Sequence, residues 1–449
     1  MPTTFPPRPE IEEPRAWEFP LPQRHRLDNG LDVALYRMPG QHVISGHLVI
    51  DLPLSAEPRA LEGVATICAR TLDEGTRQHA GEEFAEALET LGAGFGIDVS
   101  LSGLRAILDV PASRLQPALD LFAEAVIEPV FDEADVRRHV TLRLAEIDQV
   151  YANPAQSASV AFRSGIFAAE SRASRMNSGQ PDTVAAVTAE SVRAFHRDHF
   201  RPARATLVLA GEFAEDPLPL VRKAFAGWSD DDSAPAPEHQ APLPAEPRAV
   251  LINHPGAVQA DLRLGGFGID RTDSRWADVT IGGYAVGGAF LSRLNKVLRE
   301  DRGYTYGVHL AFGPLRRSGS YAVQGAFRTE VAAAALAEAR GLLDLAAQPI
   351  TADEVRDAVA YFTGVSPLRY ATADGVADQA ASQVLAGLPD DHLNRELAAL
   401  RRVTPESATA AYTSVVDLDR LSLAIAGDAD ALAEPIRALG YDLVVLDHP

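Results

Sequence analysis

A chain of 449 residues exceeds the ~250–300 residues at which one hydrophobic core stops growing, so two to four domains are expected. Its 46% hydrophobic and 23% charged residues match an ordinary soluble globular protein. The formal net charge of −21, from 62 acids against 41 bases, argues against nucleic acid or an anionic membrane as partner, since both need clustered Lys and Arg.

In chain order, residues 1–20 are proline-rich and acidic and read as an extension without the apolar core of a signal peptide. "LDVALYR" and "VISGHLVIDL" read as strands joined at Pro39-Gly40. Helices follow at about 60–73 and 80–91, the second stopped by Gly92. The first holds the only cysteine, Cys68, among Val64, Ile67 and Leu72; it reads as a buried small hydrophobe. A lone cysteine forms no internal disulfide and suits a reducing cytoplasm. Strands at about 93–101 and 104–110 precede helices near 112–126, 132–152 and 155–168. Thr188 is placed to cap a further helix, and the strand "ATLVLAG" closes the unit. No apolar run reaches the ~20 residues of a membrane span.

The chain then repeats itself. Residues 187–211 and 403–427 align without a gap at an offset of 216, with nine identities in 25 positions, and Pro39-Gly40 pairs with Pro255-Gly256 at the same offset. The second copy reads as strands near 248–266, helices near 273–287 and 290–302, strands near 305–326, four or five helices and a last strand. Residues 229–247, rich in Ser, Asp, Pro and Ala, bury little and read as an extended linker that lets the two units face one another across a gap. The expected organisation is an extension (1–20), a first unit (21–228), the linker (229–247) and a second unit (248–449). Each unit is expected to be an α+β sandwich, an antiparallel-rich sheet with helices on one face.

"GVATICARTLDEGT", "RPARATLVLAGEF" and "GGAFLSRLNKVLREDRGYTYGV" together resemble the pitrilysin/insulinase family, which includes the mitochondrial processing peptidase. Active members carry H-x-x-E-H on the first helix: two imidazoles one turn apart hold zinc, and the Glu activates its water. The resemblance places those positions at Thr66, Ala69 and Arg70, and the third ligand at Glu146. A hydroxyl is a poor zinc ligand, a methyl cannot act as a base, and a guanidinium repels a dication. No metal is therefore expected in this chain; Glu146 is left either as an ordinary helix-surface residue or as an ion-pair partner of Arg70.

The resemblance also implies that Arg299 and Tyr306 of the second unit bind substrate backbone beside the metal. Their chemistry suits that role, since Arg offers several donors and a Tyr hydroxyl can donate to an oxyanion. The residue types alone also allow a solvated helix end at Arg299 and a core-covering aromatic at Tyr306, with Tyr304 as competitor. Gly287 and Gly288 read as a tight turn between helices. His196 and His199, three apart on one helix, form a formal ligand pair, but no acidic partner is placed and packing is the simpler reading. The implied whole is half of a clam shell: a non-catalytic, peptide-binding subunit whose active site is completed in trans with an H-x-x-E-H partner that carries the zinc. A structural or assembly subunit, or a stand-alone peptide-binding protein, is the alternative.

Overall fold

The computed structural model describes residues 17–229 and 237–447; the expectations for residues 1–16 and for the linker's centre, 230–236, lie outside them. The first unit comprises β1 (Gln23–Arg26), β2 (Asp32–Arg37), β3 (Val43–Ile50), α1 (Val64–Arg70), α2 (Gly81–Leu91), β4 (Gly94–Ser100) and β5 (Gly103–Pro111). It continues with α3 (Leu115–Ile127), α4 (Glu133–Ala152), α5 (Pro154–Ile166), α6 (Pro181–Ala185), α7 (Ala189–His199), β6 (Ala205–Gly211) and α8 (Leu218–Ala224). The second unit begins with β7 (Ala249–Asn253), β8 (Gln259–Gly268) and α9 (Trp276–Gly283), followed by wide helical turns at Tyr284–Gly288 and Asn295–Asp301. Then come β9 (Val308–Leu315), β10 (Ser318–Arg328), α10 (Ala332–Leu342), α11 (Ala352–Arg369), α12 (Ala373–Ala386), α13 (His392–Leu400), α14 (Pro405–Val415), β11 (Ser422–Gly427), α15 (Ala429–Arg437) and β12 (Leu443–Asp447).

The duplication is visible in the topology. One sheet has the order β1-β2-β6-β3-β5-β4 and the other β12-β7-β11-β8-β10-β9. The central strands share one register: Thr206 opposes Val49 in the first sheet, and Ser422 opposes Gly265 in the second, both residues shifted by 216. The helix before each closing strand starts with the same reciprocal cap. Thr188 N donates to Ser191 Oγ at 2.9 Å while Ser191 N donates to Thr188 Oγ1 at 3.2 Å; Thr404 and Ser407 repeat this at 3.0 and 3.1 Å. The outermost strands differ. β1 pairs antiparallel with β2, whereas β12 pairs parallel with β7, so opposite ends of the chain fill the same slot. Neither edge strand belongs to the sequence expectation. Among the described residues no helix is long and apolar enough to cross a membrane.

The two units do more than face one another: they exchange helices. In the first sheet Val33, Leu35, Leu207 and Leu209 face the unit's own α1, α3 and α7, while Ala34, Tyr36, Val208 and Ala210 face the core that contains α12 of the second unit. Reciprocally, Phe162 and Ile166 of α5 pack on Ala424 of β11, and Ala158 packs with Ile252 of β7 and Ala426. Each sheet is thus covered on one face by its own helices and on the other by a helix of the other unit. The linker is part of this arrangement. Ala168 N donates to Leu243 O at 2.9 Å and Ala245 N to Ile166 O at 3.0 Å, so the linker's described residues run bonded along the end of α5. Trp17 and Phe19, from the first unit's start, pack on Tyr370 of the second, with ring centroids 5.9 and 5.3 Å away.

Because Phe162 belongs to one unit and lies against the other's sheet, Phe162→Ala is expected to cost about 3–5 kcal/mol. It should accelerate amide hydrogen exchange in β8 and β11, strands of the other unit. Exchange altered in the first unit alone would show that the covering helix contributes little there.

Candidate functional site

The first helix of the first unit is anchored by buried charge. Gly63 precedes it at φ +104°, and a Cβ there would lie 2.9 Å from Ser178 O, so glycine is required by both conformation and space. The Glu57 side chain is fully buried and accepts from Gly63 N at 2.9 Å and Ala65 N at 3.1 Å, an anion on the positive end of α1. Arg172 Nη2 donates to the same carboxylate at 3.0 Å. Beside it, Glu62 receives Arg175 Nη2 at 2.7 Å and Arg59 Nη1 at 2.8 Å. Burial pushes the Glu57 carboxyl above the usual carboxylate range against the pull of Arg172 and the two amides. For Glu62 burial acts in the same sense, but Arg175, Arg59 and Arg172 outweigh it and hold the carboxyl low. Sequence reading missed this network; its members are scattered over more than a hundred residues, and only the topology joins them.

On this anchored helix Thr66, Cys68 and Ala69 are buried, and burial raises the Cys68 thiol far above its ordinary range. The Thr66 hydroxyl has no hydrogen-bond partner among the described residues. Arg70 reaches out of the helix to α4: its Nη1 donates to Glu146 Oε1 at 2.8 Å, and Arg143 Nη1 donates to Glu146 Oε2 at 3.1 Å. The hydrogen bond from Arg70, then that from Arg143, hold the Glu146 carboxyl below the usual range despite partial burial. Arg143 was not singled out from the sequence, although its spacing of three from Glu146 on one helix is a legible signal. Zinc does not fit these residues. Where a dication would sit against the carboxylate, two guanidinium groups already satisfy both its oxygens.

His196 and His199 are packing residues. His196 Nε2 meets Val126 O at 2.8 Å, its ring lies 4.4 Å from that of Phe200, and burial lowers its pKa to about 4. His199 packs on Phe195, centroids 4.7 Å apart, and burial lowers its pKa too. Among the described residues no three His, Cys, Asp or Glu side chains converge as metal ligands.

In the second unit Arg299 lies on the wide helical turn and Tyr306 on the loop that leads into β9. The Arg299 guanidinium stacks 3.9 Å from the ring centroid of Phe290 and donates to Glu300 Oε1 from Nη2 at 2.5 Å and Nε at 2.8 Å. Tyr304, not Tyr306, packs against the core; Tyr306 is 97% exposed and Phe290 73%. The helix ends at Gly303 with φ +62°, and this turn carries the chain out to Tyr306. Gly287 serves close packing rather than a turn: a Cβ there would lie 2.5 Å from Leu310 Cβ of β9. Arg70 and Glu146 thus meet directly, whereas Arg299 is engaged by Phe290 and Glu300 and Tyr306 stands in solvent seven residues on.

Two family models match in tandem: one described as insulinase (peptidase family M16) over residues 32–175, the other as peptidase M16 inactive domain over residues 186–362. The chain is 25% identical to an uncharacterized zinc protease of Streptomyces coelicolor over 416 residues, covering 90% of this chain and 89% of that one. It is 21% identical to a non-peptidase homolog of Helicobacter pylori over 73% of its length and 76% of the homolog's. In structure it is similar to a peptidase M16 inactive domain from Pseudomonas fluorescens, with TM-score 0.83 and 25% identity over 92% of this chain and 99% of that one. The fold is shared with a protease from Helicobacter pylori at TM-score 0.84 and 15% identity, over 91% of this chain and 100% of that one. With the fold and the duplicated sheets in agreement with these matches, the chain belongs to the insulinase-like peptidase family M16 and is of its inactive type.

Proposed function

We propose that this chain is the non-catalytic, substrate-holding subunit of a two-subunit zinc peptidase, completing in trans the site of an H-x-x-E-H-bearing homologue. The reading rests on two observations together: Arg70 of the first helix is bonded to Glu146, at positions that the family resemblance gives to zinc ligands, and Tyr306 of the second unit is held almost wholly in solvent. An aromatic presented in this way gains nothing within its own chain and suits contact with a second molecule. In this reading Tyr306 donates its hydroxyl to the oxyanion formed on the scissile carbonyl, and Arg299, oriented by Phe290, binds backbone carbonyls of the peptide. The peptide itself is captured by strand addition to a sheet edge, where main-chain hydrogen bonds give affinity with little sequence choice. The two subunits would enclose it, each as half of a shell, in the cytoplasm that the single cysteine suits. Names given to relatives, an inactive domain and a non-peptidase homolog, support the absence of catalysis by the chain alone. One observation favours a purely structural subunit: Glu300 already engages the Arg299 guanidinium.

Purified alone, the chain is expected to hydrolyse no peptide and to retain no stoichiometric zinc on elemental analysis; one zinc per chain would overturn the reading of Thr66, Ala69 and Arg70. In a reconstituted pair, Tyr306→Phe is expected to lower kcat about 10²–10³-fold, as for loss of one oxyanion donor. Arg299→Ala should act in the same direction, with assembly unchanged by gel filtration. Unchanged kinetics in both variants would leave the structural role standing.

A pH measurement tests the substituted site. The Glu146 carboxyl is depressed in the folded chain, so its contribution to stability is complete above the unfolded value of 4.5 and is lost as pH falls through the folded pKa. Glu146→Gln is therefore expected to flatten the acid limb of the stability–pH curve below about pH 5. At neutral pH it should cost about 1 kcal/mol, since Glu146 and Arg70 are partly in water and the Gln carbonyl can still accept from the buried Arg143. An acid limb identical to that of the unaltered chain would refute the ion pair.

A further inference from the structure

Between the two units lies an open cavity of about 680 Å³, within the size range of small-molecule sites. It is walled by the β4–β5 turn, the exchanged helices α5 and α12, the loop after β8 and the tip of the β9–β10 hairpin. Its lining includes Arg163, Arg271, Arg316 and Arg317 against a single acid, Asp270. That surplus of three positive charges stands in a chain whose net charge is −21.

The arginines are incompletely neutralised. Arg163, half-buried on α5, donates from Nε to Ala173 O at 3.1 Å and from Nη2 to Asn177 Oδ1 at 3.0 Å, both neutral acceptors. Burial, then the nearby Arg172, lowers its pKa to about 10. Arg271 makes no hydrogen bond or ion pair among the described residues. Arg317 donates to the carbonyl of His239 at 2.7 Å, leaving most of its five donors for other use. Arg316 is the satisfied member, paired with Asp51 at 2.7 Å.

The hairpin that delivers two of these cations is built unlike its counterpart. Ile50 of β3 opposes Leu104 of β5, one pair from the turn, whose last pair is Ser100–Gly103. Gly266, the equivalent of Ile50 at offset 216, opposes Tyr321, three pairs from the turn, whose last pair is Leu315–Ser318. The second-unit hairpin therefore projects two residue pairs farther, and it carries Arg316-Arg317 at its two-residue tip. Such tips favour Asn-Gly or Asp-Gly, because φ must be positive. Arg317 nevertheless adopts φ +69°. A bulky residue held in that region is a costly choice for a turn and marks a place where the side chain matters more than the backbone.

We infer that the inter-unit cavity binds a small polyanion bearing two or more phosphate or carboxylate groups, held by Arg271, Arg317 and Arg163. The guanidinium fork matches either group in a bidentate way. The cations come from three separate elements, so a ligand with more than one anionic group is needed to reach them together. This site requires neither the metal helix nor a partner subunit.

The test is calorimetric titration of the full chain with pyrophosphate and, separately, with citrate, each at fixed ionic strength. Saturable one-to-one binding is expected for at least one probe: pyrophosphate alone assigns the site to phosphate, citrate alone to carboxylate, and both to charge as such. The double variant Arg271→Ser/Arg317→Ser is expected to weaken the binding about tenfold or more, with an unchanged circular dichroism spectrum. On the unaltered chain, the bound probe should also protect Arg271 and Arg317 from phenylglyoxal, as mapped by peptide mass spectrometry, which keeps the test decisive if the variant misfolds. No saturable binding of either probe, undiminished binding by the folded variant, or unprotected arginines would overturn the inference.

Discussion

A sheet that is apolar on both faces must be covered on both, and that requirement determines how this molecule is assembled. Along β3 the alternation places Leu48 toward the unit's own helices and His47 toward α12, and both are fully buried. The unit has no helix of its own for that second face. Its counterpart supplies one, and receives α5 in return. Burial under α12 pulls the His47 pKa down to about 4, so at neutral pH the residue adds no charge to the covered face. Polar links reinforce the exchange: Ser422 Oγ donates to Gly165 O at 2.9 Å, and Arg263 Nη2 donates to Ala155 O at 3.1 Å. Neither unit can bury its sheet without the other, so the two places of functional interest are held on one body rather than on two hinged ones.

The first helix is held by contacts that do not involve Thr66, Ala69 or Arg70. Glu57 holds the amino end of α1, Arg172 and Glu62 hold Glu57's surroundings, and Gly63 fixes the approach. These contacts lie at the start of the helix, while Thr66, Ala69 and Arg70 lie along it. Glu146, which faces this helix from α4, is neutralised separately. Two guanidinium groups, on α1 and on α4, supply the same formal charge as one divalent cation would and hold the carboxylate by hydrogen bonds. A cluster that is partly in water contributes modestly to overall stability; its consequence is chemical, since both carboxylate oxygens are occupied by guanidinium donors.

How far the sequence announced this depends on what each signal encodes. Periodicity and caps are local, so α2, α4 and α7, with Gly92 and Thr188 at their ends, were legible to within a residue or two. The duplication was legible because it repeats a pattern at one offset. The exchange was not. The stripe Ala158, Phe162, Ile166 on α5 states that one face is buried, but not against which sheet. The short edge strands β1 and β12 escaped because one is polar throughout and the other follows the last repeat. At the site, the residue types at Thr66, Ala69 and Arg70 could be read directly, but whether Glu146 meets Arg70 or stays an ordinary surface residue was decided only by the fold. Arg143 and the Glu57 network needed the fold, because side chains that meet only through tertiary structure leave no spacing in the chain.

Where the two copies differ follows from where the exchanged helices lie. α12 packs chiefly on β3 and β6, and α5 on β8 and β11. These are the strands whose register is identical in the two sheets, because a helix seated across two strands fixes which residues may face it. Away from that contact the copies drift: the β9–β10 hairpin outgrows β4–β5, and the edge slot is filled by β1 in one sheet and β12 in the other. Arg299 and Tyr306 precede β9, and Arg316-Arg317 follow it, so both unusual features of the second unit border its edge strand. A core shared between two copies constrains both at once, since a change in one sheet must be met by the other's helix. The outer strands carry no such reciprocal constraint, and they are where one copy could acquire chemistry that the other lacks.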